Sequence, residues 1–163
     1  MDFPDPIPLG TGQTGETSNT NTVMGALVRA ILEDVFELTI SSSFSAAHAL
    51  VIQGVREPVH GHDWQVEVLV GGVDLDEDGM LCDFHELEGR LAGIIAPFQT
   101  ANLNDDPAFA SINPSAESVA RHIGERFLID LPAAVRLLRV SVTEAPGCKA
   151  AWIPDPGEGA VTS

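Results

Sequence analysis

From residue 36 onwards, hydrophobic and polar positions fall into a legible order. Phe36, Leu38 and Ile40 alternate with Glu37 and Thr39, the period of a strand with one buried face, and the strand runs on towards Phe44 and His48. Val66, Val68 and Val70 alternate with Gln65 and Glu67 in a second strand that begins at His60 and His62. Asp76-Glu77-Asp78-Gly79 reads as a turn, which predicts a short third strand returning antiparallel. Asp83-Phe84-His85-Glu86 has the form of a capping box with an Asp cap. Phe84, Leu87, Leu91, Ile94, Ile95 and Phe98 follow at three-to-four spacing, the buried face of a helix. Asn113-Pro114 opens a second helix, with Pro near the first turn and Val119, Ala120, Ile123 and Phe127 facing inward. Leu138, Val140, Val142 and Glu144 share one face of a last strand, so a carboxylate ends an otherwise apolar stripe. The order is that of an antiparallel α+β protein with its helices on one sheet face.

The flanks differ. Residues 1–23 are rich in Pro, Gly, Thr, Ser and Asn without a hydrophobic period, the composition of a disordered tail. Met24 begins the first apolar stretch and is a candidate start codon. The Gly-rich, polar segment 155–163 reads as a flexible C-terminal tail, leaving residues 24–154 as the folded domain. A chain of 163 residues suits one core rather than two. No apolar run reaches the roughly 18 residues that span a bilayer, and the first residues lack the basic and apolar regions of a secretory signal. Two cysteines, Cys82 and Cys148, are too few for a disulfide framework and read as reduced thiols in a cytoplasmic protein.

Charge narrows the partners. Asp and Glu number 24 against eight Lys and Arg, a net charge of −16, which repels nucleic-acid phosphates and anionic lipid. An anionic small molecule would need a local cationic site, for which a bound metal, Arg56 or Lys149 are the candidates.

Three of the five histidines fall within fifteen residues: His48, His60 and His62. In an extended segment His60 and His62 share a face, roughly 6.6 Å apart along the strand. A third histidine from a neighbouring segment completes a nitrogen set for zinc with one position left open, the form of a catalytic rather than a structural site.

Six stretches then appear together in order: Phe44-Ser45-Ala46-Ala47-His48, His60-Gly61-His62-Asp63-Trp64, Cys82-Asp83-Phe84-His85-Glu86-Leu87, Asn102-Leu103-Asn104-Asp105, Asn113-Pro114-Ser115-Ala116-Glu117 and Val142-Thr143-Glu144-Ala145-Pro146. This constellation resembles the 6-pyruvoyl-tetrahydropterin synthase and 6-carboxytetrahydropterin synthase family over roughly residues 36 to 153. The resemblance implies the tunnelling (T-) fold, an antiparallel four-stranded sheet with two helices packed on one face. Such subunits associate into barrels, commonly a hexamer formed as a dimer of trimers. It also implies Zn2+ held by His48, His60 and His62, and a pterin ring anchored by Glu144, whose carboxylate accepts hydrogen bonds from ring N–H groups.

Two positions depart from the family pattern. Common members carry a catalytic Cys four residues before the first His of the His-Gly-His element; here that residue is Arg56. Glu57 stands three residues before His60 instead. This resembles the subgroup in which glutamate replaces the cysteine and 7,8-dihydroneopterin triphosphate yields 6-hydroxymethyl-dihydropterin. The family's Asp-His proton-transfer pair is replaced by Gln99 and Thr100, neither of which titrates near neutral pH.

The expected function is therefore a zinc-dependent, pterin-forming lyase with Glu57 as the acid–base group. One alternative is the 6-carboxytetrahydropterin synthase of deazapurine (queuosine) synthesis. The other is a non-catalytic zinc- and pterin-binding homologue. The plainer readings are a solvated loop carboxylate for Glu57, an ion pair with Lys149 for Glu144, cap residues for Asp83 and Glu86, a surface role for His85 and a small buried hydrophobe for Cys82.

Overall fold

The computed structural model describes residues 35–155. The proposed N-terminal tail, 1–23, all but Asp155 of the proposed C-terminal tail, 155–163, and the start of the proposed domain at Met24 lie outside the described residues. Strand β1 (Phe36–His48) is followed by a short ribbon, β2 (Val51–Ile52) and β3 (Val55–Arg56), and then by β4 (His60–Gly72). Two helices follow, α1 (Phe84–Ile95) and α2 (Ala116–Leu128), with three single 3-10 turns between them at Ala96–Phe98, Leu103–Asp105 and Pro107–Phe109. The chain ends in β5 (Arg136–Ala145) and β6 (Cys148–Trp152). The main sheet has the order β1-β4-β5-β6 and is antiparallel throughout. Both helices pack on one face of it, so the α+β, four-stranded architecture expected from the sequence is the one found.

Alternation decides which face is buried. Ile40, Phe44 and Ala46 from β1, Trp64, Val66, Val68 and Val70 from β4, and Leu137, Val140 and Val142 from β5 lie in the core, facing Leu87, Leu91 and Ile95 of α1 and Val119, Ala120, Ile123 and Phe127 of α2. Phe44 stacks on its cross-strand partner Trp64 at 5.8 Å between ring centroids and tilts onto Phe98 at 5.5 Å. Asp83 caps α1 by accepting the His85 N–H at 2.8 Å, and Ser115 caps α2. His85 is exposed and bonds that same Asp83 carboxylate.

Three details differ from the pattern read in the sequence. The short strand expected after Asp76–Gly79 does not form. Asp76 closes the loop on itself instead, its Oδ1 accepting from Asp78 N–H and Met80 N–H, so the backbone there needs no sheet partner. The fourth strand is β6, reached through a tight turn at Gly147, whose φ of +85° suits glycine. In β5 the predicted stripe begins one residue early. A register slip between Leu69 and Val70 of β4 leaves Leu138 without a partner and buries Leu137, as a β-bulge does. Phe84, expected on the buried face of α1, is exposed at its first turn. Cys82 is half-buried against the core, and burial pushes its thiol above the ordinary value, in keeping with a packing role. No described helix is long and apolar enough to cross a membrane.

Gly124 lies on the buried side of α2, where the indole of Trp152 covers it. A Cβ there would meet Trp152 Cε3 at 2.2 Å. Alanine normally gains about 0.5–1 kcal/mol over glycine in a helix interior, but overpacking costs about 1–3 kcal/mol, and a rigid ring edge cannot bend aside. Gly124→Ala should therefore lower stability by about 1–2 kcal/mol on these figures, read as a lower urea midpoint at unchanged slope. An unchanged or raised midpoint would mean that Trp152 can move.

A candidate metal centre at the end of the buried sheet face

The apolar face of the sheet becomes polar at one end. His48 is the last residue of β1 and pairs with His60, the first of β4; Ala46 pairs with His62. All three imidazoles therefore leave the sheet on the face that carries Trp64 and Val66. Ala46, with only a methyl group, leaves room beside His62. The three rings sit edge to face, 4.7 to 5.2 Å apart between centroids, and His48 and His62 also pack against Trp64. Glu144 joins them from β5. The register of β5 with β6 slips across this residue, so the carboxylate stands at a bulge, a device that re-aims a side chain.

The gradient of burial is steep. His48 is fully buried, the side chains of His62 and Glu144 are each 22% exposed, and that of His60 is 42% exposed. Burial holds His62 below the ordinary histidine pKa, against the pull of Glu144.

Hydrogen bonds fix which nitrogen is free in two of the rings. His48 Nδ1 is 2.8 Å from Pro114 O, and His60 Nδ1 is 2.9 Å from Pro58 O. A carbonyl only accepts, so each Nδ1 carries the hydrogen and each Nε2 of a neutral ring presents its lone pair. His48 Nε2 lies 2.8 Å and His62 Nε2 3.3 Å from Glu144 Oε1, yet both nitrogens are buried without a hydrogen bond. The contacts have the distance of an ion pair and not the geometry of a hydrogen bond. Lone pairs and a carboxylate at this separation repel unless a cation lies between them.

A divalent ion meets that need. Zinc held at about 2.0–2.1 Å by nitrogen and oxygen has a tetrahedral edge of about 3.3 Å, close to the distances seen. His48, His60, His62 and Glu144 offer ligand atoms within 4.8 Å of one another. The backbone carbonyls of Pro114 and Pro58 orient two of the rings, as outer-sphere partners of a metal would.

Glu57 stands beside this group. It lies between β3 and β4, with Oε1 3.9 Å from His60 Nδ1 and accepting the Leu50 N–H at 2.9 Å. Gln99 and Thr100 are elsewhere, on the outer edge of β1. Gln99 Oε1 accepts from Ser45 N–H at 3.3 Å, and Thr100 N–H donates to Ser45 O at 2.7 Å with φ +58°. Thr100 borders an open recess of about 350 Å3 that also touches Ser45, Asp63 and His62. Lys149 pairs with Glu67, not with Glu144, and lies opposite Thr143 on the far face of the sheet. It contributes no positive charge to the histidine cluster. Sequence reasoning singled out the three histidines as ligands, Glu144 as a ring anchor and Glu57 as an acid–base group. It did not foresee Glu144 within ligand distance of the histidines, and it missed the two proline carbonyls, because backbone acceptors leave no mark on residue type.

The family model for 6-pyruvoyl tetrahydropterin synthase matches residues 37–153. The chain belongs to this family. It is 36% identical over 103 residues to the dihydroneopterin monophosphate aldolase of Pyrococcus furiosus, covering 63% of this chain and 84% of the relative. It is 32% identical over 113 residues to a putative 6-carboxy-5,6,7,8-tetrahydropterin synthase of Archaeoglobus fulgidus, covering 69% and 93%. Among solved structures, the 6-pyruvoyl tetrahydropterin synthase of Caenorhabditis elegans superposes with a TM-score of 0.66 at 21% identity, over 76% of this chain and 98% of that one. The fold is accordingly the T-fold.

A metal at this centre should stabilise the folded protein. At a free zinc concentration 100 times the dissociation constant the gain is about 2.7 kcal/mol, measured as a rise in unfolding temperature of chelator-stripped protein on adding Zn2+. In His48→Ala the rise should be absent, and metal content by elemental analysis should fall well below one per chain. An equal rise in both proteins would place the ion elsewhere.

Proposed function

We propose that this protein is a zinc-dependent lyase that cleaves the side chain of a 7,8-dihydroneopterin phosphate ester, releasing 6-hydroxymethyl-dihydropterin. The observation that carries the reading is Glu57, a carboxylate standing at the histidine cluster one residue after the position at which common family members have a cysteine. The aldolase name of the Pyrococcus furiosus relative supports it. That name specifies a monophosphate, whereas the resemblance read in the sequence suggests the triphosphate; both esters carry the same reacting carbons.

In the proposed site His48, His60 and His62 hold the metal. Bound there, zinc supplies Lewis-acid chemistry, lowering the pKa of side-chain hydroxyls. Glu144 anchors the pterin ring, its carboxylate accepting from ring N–H groups. Its place beside the histidine nitrogens supports this reading, since a ring held there would lie next to the residues that would hold the metal. Glu57 takes the proton from the hydroxyl on the second side-chain carbon. The bond between the first and second carbons breaks, its electron pair passing into the ring imine, and an aldehyde bearing the phosphate leaves. The first carbon then takes up the proton that Glu57 holds, which gives the hydroxymethyl group. No oxidant or water is consumed, and one proton is borrowed and returned.

That balance bears on Gln99 and Thr100. A rearrangement with several proton transfers needs a second titratable group, and these residues supply none. Cleavage needs one carboxylate used twice. The reading as a 6-carboxytetrahydropterin synthase draws support from the Archaeoglobus fulgidus relative but leaves the absent cysteine without a substitute. Binding without turnover is the reading that the absent Asp-His pair favours. The proposal includes cytoplasmic residence and assembly as a homo-oligomer, a hexamer in the family pattern.

Zinc-loaded protein incubated with dihydroneopterin mono- and triphosphate should give 6-hydroxymethyl-dihydropterin and a two-carbon phosphorylated aldehyde by mass spectrometry. 6-Carboxytetrahydropterin as product, or ring binding without turnover, would replace the proposal with the corresponding alternative. Glu57→Gln should lower kcat about 10²- to 10⁴-fold, the range of a lost general acid–base group, with metal content unchanged. Full activity in that variant would remove Glu57 from the chemistry.

A further inference from the structure

The three residues that follow His48 are held on every backbone polar group. Ala49 N–H donates to Asn104 Oδ1 at 2.8 Å, and Asn104 Nδ2 donates to Ala49 O at 2.8 Å. Leu50 N–H donates to Glu57 Oε1 at 2.9 Å, and Glu57 N–H donates to Leu50 O at 3.0 Å. Val51 N–H donates to Asn113 Oδ1 at 2.9 Å, and Asn113 Nδ2 donates to Val51 O at 3.0 Å. A carboxamide presents a donor and an acceptor side by side, as a peptide group does. The two asparagines therefore serve residues 49 and 51 as a neighbouring strand would, and Glu57 serves residue 50 between them.

The arrangement has a direction. Asn104 belongs to the 3-10 turn Leu103–Asp105, and Asn113 stands just before the Ser115 cap of α2. Both are fixed to the helical layer. Glu57 is not; it lies in the connection between β3 and β4, and its carboxylate is anchored by the Leu50 N–H. The orientation of that N–H is set by the grips on either side of it. Of the two carboxylate oxygens, Oε1 is engaged with Leu50 and lies 3.9 Å from His60 Nδ1, which leaves Oε2 as the oxygen free to meet a substrate proton.

We infer that Asn104 and Asn113 are positioning residues that hold the Glu57 carboxylate in its reactive orientation through the backbone of Ala49–Val51. The inference rests on the acid–base role proposed for Glu57. Loss of either grip lets the Leu50 N–H turn, and the carboxylate turns with it. Misplacement of a reacting group by about 1 Å can cost 10²-fold in rate. Asparagine is required for the double bond, since aspartate lacks the donor and would set a carboxylate against the Val51 carbonyl.

A double-mutant cycle on the zinc-loaded enzyme tests this. Asn113→Ala should lower kcat on the dihydroneopterin phosphate that is turned over by about 10- to 100-fold, while the affinity for a non-reacting pterin changes less than threefold. In the Glu57→Gln background the same substitution should cost less than threefold more, because the group it positions no longer transfers a proton. Asn113→Asp, which keeps the volume and one of the two bonds, and Asn104→Ala should show the same masking. They cover the case in which Asn113→Ala does not fold, as judged by its thermal transition. Loss of the full 10- to 100-fold in both backgrounds would overturn the inference, assigning the asparagines to general stability. Unchanged kcat in the single variants would overturn it equally. Full activity in Glu57→Gln alone would instead withdraw the acid–base assignment on which the inference rests.

Discussion

Everything at the functional end of this molecule depends on an electrostatic conflict. His48 is fully buried with its Nδ1 hydrogen committed to the Pro114 carbonyl, so the remaining nitrogen offers a lone pair where water does not reach it. The chain aims a carboxylate at that lone pair. In a medium of low dielectric such an arrangement costs several kcal/mol unless positive charge resolves it. A second proton on His48 would do so by making a buried ion pair. A divalent cation held by the three imidazoles would do so as well, and would account for His62 approaching the same oxygen. Histidines, glutamate and carbonyls thus make one unit, whose arrangement suits a cation.

The sheet makes the conflict possible by geometry. The alternation that buries Ile40, Phe44, Trp64, Val66 and Val68 is the same alternation that sends His48, His60 and His62 to one side. No separate mechanism is needed to assemble the centre: it is the last layer of the core with imidazoles in place of aliphatic side chains. Trp64 marks the border, packed on Phe44 on one side and on two histidines on the other.

Much of this could be read from the sequence because it rests on periodicity. Two strands, two helices, the Asp83 cap and the shared face of the histidines follow from local patterns, whereas the second helix starts at Ala116 with Ser115 as its cap, just after the Asn113-Pro114 expected to open it. What escaped detection did so for identifiable reasons. The missing short strand and the unexpected β6 turn on whether a loop satisfies its own backbone groups, and Asp76 does this with one side chain. The exchange of Leu138 for Leu137 depends on a bulge, a single added residue that periodicity cannot place. The pairing of Lys149 with Glu67 rather than Glu144 depended on that same unforeseen strand. The bonds from Asn104 and Asn113 to residues 49 and 51 join positions 55 and 62 apart in the chain, beyond any local pattern. The landmarks containing these asparagines were visible; their mechanical role was not.

The excursion between His48 and His60 separates two kinds of part. The candidate ligands stand in the sheet, where moving one would disturb the core, whereas Glu57 stands in the connection between β3 and β4. The pairing of His48 with His60 closes the sheet ahead of this excursion, so the eleven residues between them are outside the register that sets the histidines. Evolution can therefore vary the proton chemistry proposed for such a centre within that excursion while the histidine end of the sheet stays constant.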